Sequence, residues 1–249
     1  MSGHSKWSTI KRQKGVTDAR RGQLFTKLAR EIIVAVREGG DNPEANFRLR
    51  LVIQKARDNN MPMENIERAI KRGSGQAEGA ILVEITHEGY GPSGVAILVQ
   101  ALSDNRNRTL QEVRNIFTRQ GGNLGANGCV AWLFDSRGLI TVETNDQDAE
   151  ELALEAIDAG AEDVKIEDNY VEIYTKPTDL EKVRGALEEK KIAIASAELS
   201  MVPKSTVEME EKAALQTLRL LDKLEELDEV QHVASNADFS DSILEKYQA

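Results

Sequence analysis

The chain contains 249 residues, of which 40% are hydrophobic, 4% aromatic and 30% charged, and its formal net charge is −10. This length is typical of two or three domains, since single hydrophobic cores rarely grow beyond about 250 residues. No apolar run approaches the ~20 residues that cross a bilayer, and a single cysteine excludes an internal disulfide and a multi-thiolate metal site. Because the N-terminus has no apolar stretch behind its charges, no signal peptide is predicted, and we expect a cytoplasmic protein without a membrane partner.

Positive charge is concentrated in the first part of the chain. Residues 1–75 contain 16 Lys and Arg against 8 Asp and Glu, whereas residues 76–249 contain 16 against 34. This asymmetry indicates that one end binds a polyanion while the acidic remainder keeps the protein in solution. The alternative is that the basic end docks on the acidic body of the same molecule.

The first 77 residues are predicted to form a basic arm followed by three helices. In the first helix an apolar residue recurs at every fourth position, at Leu24, Leu28, Ile32 and Val36. Asn42-Pro43 is predicted to cap and open the second helix, and Met61-Pro62 the third. Three helices with short connections bury one small shared core.

From residue 81 the hydrophobic period changes from helix to strand. Residues 81–85 and 95–102 are predicted to form a hairpin, and residues 129–134 another strand. Between them, Thr109 and Glu112 form a capping box that opens a helix.

Residues 135–202 have a pattern of their own, in the order βαββαβ of a ferredoxin-like domain. The remaining segment supplies a strand over 206–208, a helix over 215–227 and a strand over 230–234, which complete a sheet with residues 81–134. The predicted fold is therefore α+β and multi-domain: an N-terminal three-helix bundle followed by two α/β (ferredoxin-like) domains, one inserted into the other. The predicted domains are 1–77, 78–134 plus 203–249, and 135–202.

Lys and Arg are dense in the arm and first helix, which suits phosphate contacts that release counterions. Trp7 is expected either to stack on a base or to plug the helix bundle. The predicted nucleic-acid-binding residues are Lys6, Trp7, Lys11, Arg12, Lys14, Arg20, Arg21, Lys27, Arg30, Arg106 and Arg108. Five further arginines continue the basic surface: Arg48, Arg50, Arg57, Arg68 and Arg72.

The segment from Asp104 to Thr109 has two interpretations. Its two arginines, flanked by asparagine just before a helix, would bind phosphate with guanidinium donors and the helix N-terminus together. Alternatively, this is a polar loop whose arginines pair with acidic neighbours. The glycines from Gly121 to Gly125 follow a helix rather than precede one, so a helix stop explains them better than a phosphate-binding loop.

The sequence contains no recognisable catalytic constellation. His4, His87 and His232 fall in three separate predicted segments, and no metal-ligand or nucleophile motif is present. Cys129 precedes an apolar run, where a buried inert thiol is the expectation. We therefore predict a protein without catalytic residues, metal or cofactor.

Many of these segments resemble the YebC family, nearly from end to end. The segments that carry the resemblance are Gly3-His4-Ser5-Lys6-Trp7, Lys27-Leu28-Ala29-Arg30-Glu31-Ile32, Asn60-Met61-Pro62, Asn65-Ile66-Glu67-Arg68-Ala69-Ile70, Glu88-Gly89-Tyr90-Gly91-Pro92, Asp104 to Thr109, and Gly121 to Gly125. The resemblance implies a helical bundle with two α/β domains and a probable transcriptional regulator. The family that the chain resembles also includes a mitochondrial translational activator of a cytochrome oxidase subunit, and its bacterial members are linked to helping ribosomes through difficult peptide sequences. The resemblance therefore also implies an alternative role in translation.

Three functions follow as expectations. The first is a non-enzymatic, nucleic-acid-binding regulator of transcription that binds DNA. The second is a translational activator that binds the ribosome or its RNA and relieves stalling. The third is a protein–protein adaptor whose acidic body is the working surface.

Overall fold

The computed structural model describes residues 18–77, 81–144, 148–167 and 169–248, and these residues form two compact units. The first unit comprises the described residues up to Leu133 and from Pro203 onward, and the second comprises Phe134–Val202. Helices come first and α/β sheets follow, so the predicted α+β class is confirmed. The boundaries of three separate domains stay a prediction.

The elements of the described chain are numbered here in sequence order. The helices are α1 Asp18–Gly39, α2 Phe47–Asp58, α3 Met63–Gly73, α4 Arg106–Arg119, α5 Ala149–Ala159, α6 Leu180–Glu189, α7 Glu211–Glu225 and α8 Asp241–Gln248. The strands are β1 Val83–Tyr90, β2 Ala96–Ser103, β3 Asn123–Leu124, β4 Phe134–Glu143, β5 Asp163–Ile166, β6 Tyr170–Thr175, β7 Ile194–Pro203, β8 Val207–Glu208, β9 Val230–Ser235 and β10 Ala237–Asp238.

Helices α1, α2 and α3 pack around one apolar core, as their periodicity predicts. Leu28, Leu49 and Ile66, one from each helix, are buried together in it. Helix α3 approaches α1 closely at its last residue, because a Cβ atom at Gly73 would lie 2.7 Å from the Cβ of Val36. A glycine at this position therefore lets the two helix backbones come together.

Helix α2 begins later than the Asn42-Pro43 pattern predicts. Its N-cap is Asn46, whose side-chain oxygen accepts a hydrogen bond from the backbone N–H of Leu49 at 3.0 Å. The side-chain nitrogen of Asn46 donates to the carbonyl oxygen of Ala35 at 2.7 Å. The same buried side chain therefore starts α2 and ties it to α1, a contact that the local pattern does not reveal.

The first sheet has the strand order β3–β1–β2–β9, with β1 and β2 as the predicted hairpin. Helices α4 and α7 supply its core through residues such as Phe117, Leu218 and Leu221, which pack with Val99 of β2. The C-terminal segment thus completes this sheet through β9, as predicted. The predicted strand over 206–208 instead pairs with β10 in a separate two-stranded parallel ladder.

Two further predictions in this unit are wrong. Residues 129–134 are not one strand: a loop and a single 3₁₀ turn over Ala131–Leu133 lead to Phe134, where β4 begins. Helix α4 is capped by Asn105, whose side chain accepts from the N–H of Arg108 at 3.1 Å, and not by Thr109. Thr109 is buried and its hydroxyl donates to Ser103 Oγ at 2.7 Å, so tertiary packing uses the group that the capping box assigns to the helix end.

The second unit contains the predicted order βαββαβ. Its sheet has the order β5–β6–β4–β7, and both pairs formed by β6 are antiparallel. Ile140 and Ile173 from the sheet and Leu187 from α6 are buried. This is the strand order of a ferredoxin-like unit, with the second strand at one edge and the fourth at the other.

Candidate nucleic-acid interface

The predicted site residues fall into two groups according to whether the structure describes them. Lys6, Trp7, Lys11, Arg12 and Lys14 lie outside the described residues. Arg20 lies on the first turn of α1, and Arg21 beside it is exposed. The remaining predicted residues are Lys27, Arg30, Arg106 and Arg108, and their side chains are described.

Lys27 connects α1 to helix α7, and Arg30 connects it to strand β2 of the same unit. The Lys27 ammonium donates to the carbonyl oxygen of Glu225 at 2.6 Å, at the C-terminus of α7, where the helix dipole favours a cation. Arg30 donates to the carbonyl oxygen of Leu102 at 3.2 Å, and its guanidinium lies 3.6 Å from the carboxylate of Glu229. These contacts match the alternative in which basic residues dock on the acidic body.

The two arginines at the start of α4 have different environments. Arg108 donates to Asp104 at 2.8 Å and to Glu229 at 3.0 Å, and these hydrogen bonds, Glu229 first, raise the pKa of its guanidinium above the ordinary value. Arg106 is exposed, and its side chain has no hydrogen bond or ion pair with any residue that the structure describes. Acidic neighbours therefore occupy one of the two guanidinium groups and leave the other to solvent.

The five arginines of the predicted basic surface divide in the same way. Arg48 forms ion pairs with Glu38 and Glu84, and Arg50 donates to the carbonyl oxygens of Pro43 at 2.7 Å and Glu44 at 2.9 Å. Their charged groups therefore have partners within the protein, on helix α1 and strand β1 for Arg48 and in the loop before α2 for Arg50. The side chains of the other three, which are Arg57, Arg68 and Arg72, are exposed and have no ion pair or hydrogen bond within the described ranges.

Arg68 and Arg72 line a cavity of about 400 Å³ between α1, α3 and the segments around residues 82 and 104. They are four residues apart on α3, so they project from the same face of the helix. Arg30 and Asp104 also line this cavity, as do apolar side chains that include Phe25 and Met61. We call it the arginine cavity, defined by Arg30, Arg68 and Arg72.

Arg68 and Arg72 belong to the predicted basic surface and not to the predicted binding residues. The available signal was their spacing of four on a predicted helix. Arg48 differs from them because it has two acidic partners, and both of these partners lie outside its own helix. Glu84, for example, is 36 residues from Arg48.

The described part of the chain offers little for catalysis. Within it, no group of three or more His, Cys, Asp or Glu side chains could hold a metal ion. Burial, together with the charge of Glu88, raises the pKa of the Cys129 thiol, which disfavours the nucleophilic thiolate. His87 is buried, and burial lowers its pKa, so its neutral form is favoured.

The glycines after α4 form a helix stop. Gly121 has a φ of +74°, and the N–H of Gly122 donates to the carbonyl oxygen of Phe117 at 2.8 Å. The N–H of Gly125 donates to the carbonyl oxygen of Glu88 at 2.8 Å. These backbone donors have protein acceptors and are not directed at a phosphate.

Across the described ranges, no helix combines the length and the apolar character that a membrane crossing requires.

Comparison with known proteins places the chain among similar sequences along nearly its whole length. A family model of the TACO1/YebC protein N-terminal domain matches residues 5–76, and a model of the TACO1/YebC second and third domain matches residues 82–237. A probable transcriptional regulatory protein of Dehalococcoides mccartyi is 60% identical over 249 residues, which cover 100% of this chain and 99% of the relative. A probable transcriptional regulatory protein of Chloroflexus aurantiacus is 54% identical over 252 residues, which cover 100% of both chains.

A solved structure is similar as well. The crystal structure of a conserved hypothetical protein from Aquifex aeolicus matches with a TM-score of 0.84 and 50% sequence identity. The match covers 90% of this chain and 93% of that chain.

Proposed function

The chain belongs to the TACO1/YebC family, and from this premise we propose that it is a non-enzymatic regulator of gene expression that binds nucleic acid through its helical N-terminal part. The names of the relatives support a regulatory role in the family. The observation that carries the proposal is the pair Arg68 and Arg72, exposed in the arginine cavity without an acidic partner among the described residues.

Phosphate is the ligand that these side chains suit best. Each guanidinium presents planar, forked donors that match a phosphate, and it keeps its charge at any physiological pH. A concave site between protein walls focuses the field of its charges, which strengthens attraction of a polyanion. Lys6, Lys11, Arg12 and Lys14 are proposed to extend this contact surface.

The position of the cations on α3 favours phosphate contacts over reading of base edges. Helices α2 and α3 are joined by a four-residue turn, a connection similar to that of helix-turn-helix proteins. In those proteins the N-terminal residues of the second helix contact the bases. In α3 the first turn contains Glu64, and the cations Arg68 and Arg72 come later.

Two forms of the proposal differ in the nucleic acid. The leading form binds DNA and regulates transcription, in agreement with the names of the relatives. The second form binds ribosomal or messenger RNA and activates translation. It is favoured by the placement of the cations in a cavity, since folded RNA is recognised largely through shape and phosphate. In both forms the protein acts in the cytoplasm and needs no cofactor.

Fluorescence anisotropy with two labelled probes, a promoter duplex and a ribosomal RNA hairpin, tests the proposal. Sequence-dependent binding of the duplex would establish the transcriptional form, and tighter binding of the hairpin the translational one. In either case log K should fall linearly with log salt. On duplex DNA the slope of this line should be about −0.9 for each phosphate contact. If neither probe binds more tightly than about 100 µM, the weak end of non-specific binding, the nucleic-acid proposal is wrong and the adaptor takes its place.

A further inference from the structure

Two aromatic side chains of the first unit are exposed in a chain that has only 4% aromatic residues. The side chain of Trp132 is 65% exposed and that of Tyr90 is 37% exposed. Tyr and Trp are enriched at interfaces, where the polar end of the ring is hydrogen-bonded and the apolar part contacts a partner.

Both rings are tied to the same backbone atom. The Tyr90 hydroxyl donates to the carbonyl oxygen of Cys129 at 2.9 Å, and the indole Nε1–H of Trp132 donates to the same oxygen at 3.1 Å. The polar end of each ring is therefore satisfied within the protein. The apolar ring faces are what remains for a ligand.

A buried carboxylate holds the loop that carries this oxygen. Glu88 accepts hydrogen bonds from the N–H groups of Gly128 at 2.6 Å and of Val130 and Ala131 at 2.8 Å. The three donor residues flank Cys129 in the sequence, so the backbone on both sides of its carbonyl oxygen is held in place. The two rings are consequently positioned before any ligand arrives, which reduces the entropy lost on binding.

Polar groups suited to a nucleotide lie beside the rings. Asn123 is the direct cross-strand partner of Tyr90, so the two side chains project from the same face of the sheet, and Asn123 is exposed. The exposed Lys204 donates through Nζ to the carbonyl oxygen of Trp132 at 3.0 Å. An amide can hydrogen-bond the edge of a base, and an ammonium attracts a phosphate.

We infer that Tyr90 and Trp132 form a stacking site for unpaired nucleobases, with Asn123 and Lys204 as its polar contacts. Every base presents a flat π surface, so such a platform accepts a single strand of RNA or DNA with little sequence preference. A base inside a duplex is stacked on its neighbours and does not reach the platform. The inference rests on the proposed function and adds to it that part of the target is single-stranded.

The intrinsic fluorescence of Trp132 provides a direct test. The chain has two tryptophans, so a Trp7→Phe variant leaves Trp132 as the sole indole. We expect its fluorescence to be quenched by a single-stranded oligonucleotide, as DNA or as RNA, and not by an abasic DNA oligomer of equal length. The DNA and RNA arms identify which strand is preferred.

Affinity of unlabelled variants for a labelled oligonucleotide provides the second readout. Trp132→Ala should bind the base-containing oligomer about tenfold more weakly, the loss of one stacked base, and the abasic oligomer with unchanged affinity. Trp132→Phe should recover most of the loss, because it restores a ring. Leu154→Ala, which removes a side chain that is 68% exposed in the second unit, is the matched control and should bind normally.

The outcomes separate this inference from the proposed function. Equal quenching by the abasic oligomer, or equal affinity of Trp132→Ala and the unsubstituted protein, would overturn the stacking site and leave phosphate binding intact. If neither oligomer nor a duplex binds, the proposed function and the stacking site fail together.

Discussion

Replacing both Arg68 and Arg72 by glutamate is expected to weaken binding of nucleic acid about 100-fold at about 0.1 M salt. Each phosphate contact releases close to one counterion, which is worth about tenfold in affinity at this salt concentration. Because two phosphate contacts are lost, the slope of log K against log salt should also become less steep by about 2. Fluorescence anisotropy over a range of salt concentrations measures both quantities.

The matched control is the double variant Lys182→Glu/Lys212→Glu, which changes the net charge by the same amount. Both lysines are exposed, and their side chains have no hydrogen bond or ion pair with the described residues. Neither lines the arginine cavity, so binding should stay near that of the unsubstituted protein. Equal losses in the two double variants would mean that net charge, and not the cavity, governs binding.

Replacing Glu88 by alanine is expected to lower the free energy of unfolding of the first unit by about 3 kcal/mol, because three backbone N–H groups lose a charged acceptor. Urea unfolding of the Trp7→Phe variant, followed by the fluorescence of Trp132, measures this change. The control is Glu84→Ala on the same strand, which removes an exposed ion pair with Arg48 and should cost no more than about 1 kcal/mol. A cost for Glu88→Ala no larger than that of the control would show that water replaces the carboxylate.

Glu88 also predicts how stability depends on pH. Burial alone raises its pKa, but the hydrogen bonds from Gly128, Val130 and Ala131 outweigh burial, and the pKa lies below the ordinary value of 4.5. The folded state therefore holds this proton less tightly than the unfolded state does. The stabilisation is complete above pH 4.5 and is lost as the pH falls from there through the lowered pKa, and Glu88→Ala should lack this component.

The three helices of the N-terminal bundle are predictable from local sequence because their apolar period is regular, whereas α8 is not among the predicted elements. Residues 129–134 show the opposite case. Val130 is buried, but Trp132 is exposed, and the loop between β3 and β4 is held by Glu88, which is 42 residues from Val130 in sequence. Residues 129–134 form an apolar run, and the local pattern of such a run predicts a strand. Contacts with residues distant in sequence decide which of its side chains are buried, and the local pattern does not contain them.

The candidate site is less predictable than the fold. A count of Lys and Arg locates the basic region, but it cannot separate Arg108, whose partner Glu229 is 121 residues away, from Arg106. The same limit applies to Arg48 and Arg68, which lie on neighbouring helices. Which cations remain available for a ligand is a property of tertiary packing, and the arginine cavity emerges only when α1 and α3 are placed together.

Ultraviolet crosslinking of the tagged protein in growing cells, followed by sequencing of the recovered nucleic acid, shows most directly whether the protein binds nucleic acid through Arg68 and Arg72. We predict that the unsubstituted protein and the Lys182→Glu/Lys212→Glu control recover discrete fragments, and that Arg68→Glu/Arg72→Glu recovers only background. Promoter DNA among the fragments would identify a transcriptional regulator, and ribosomal RNA from one location a translation factor. Background alone from the unsubstituted protein would contradict the proposal that it acts by binding nucleic acid.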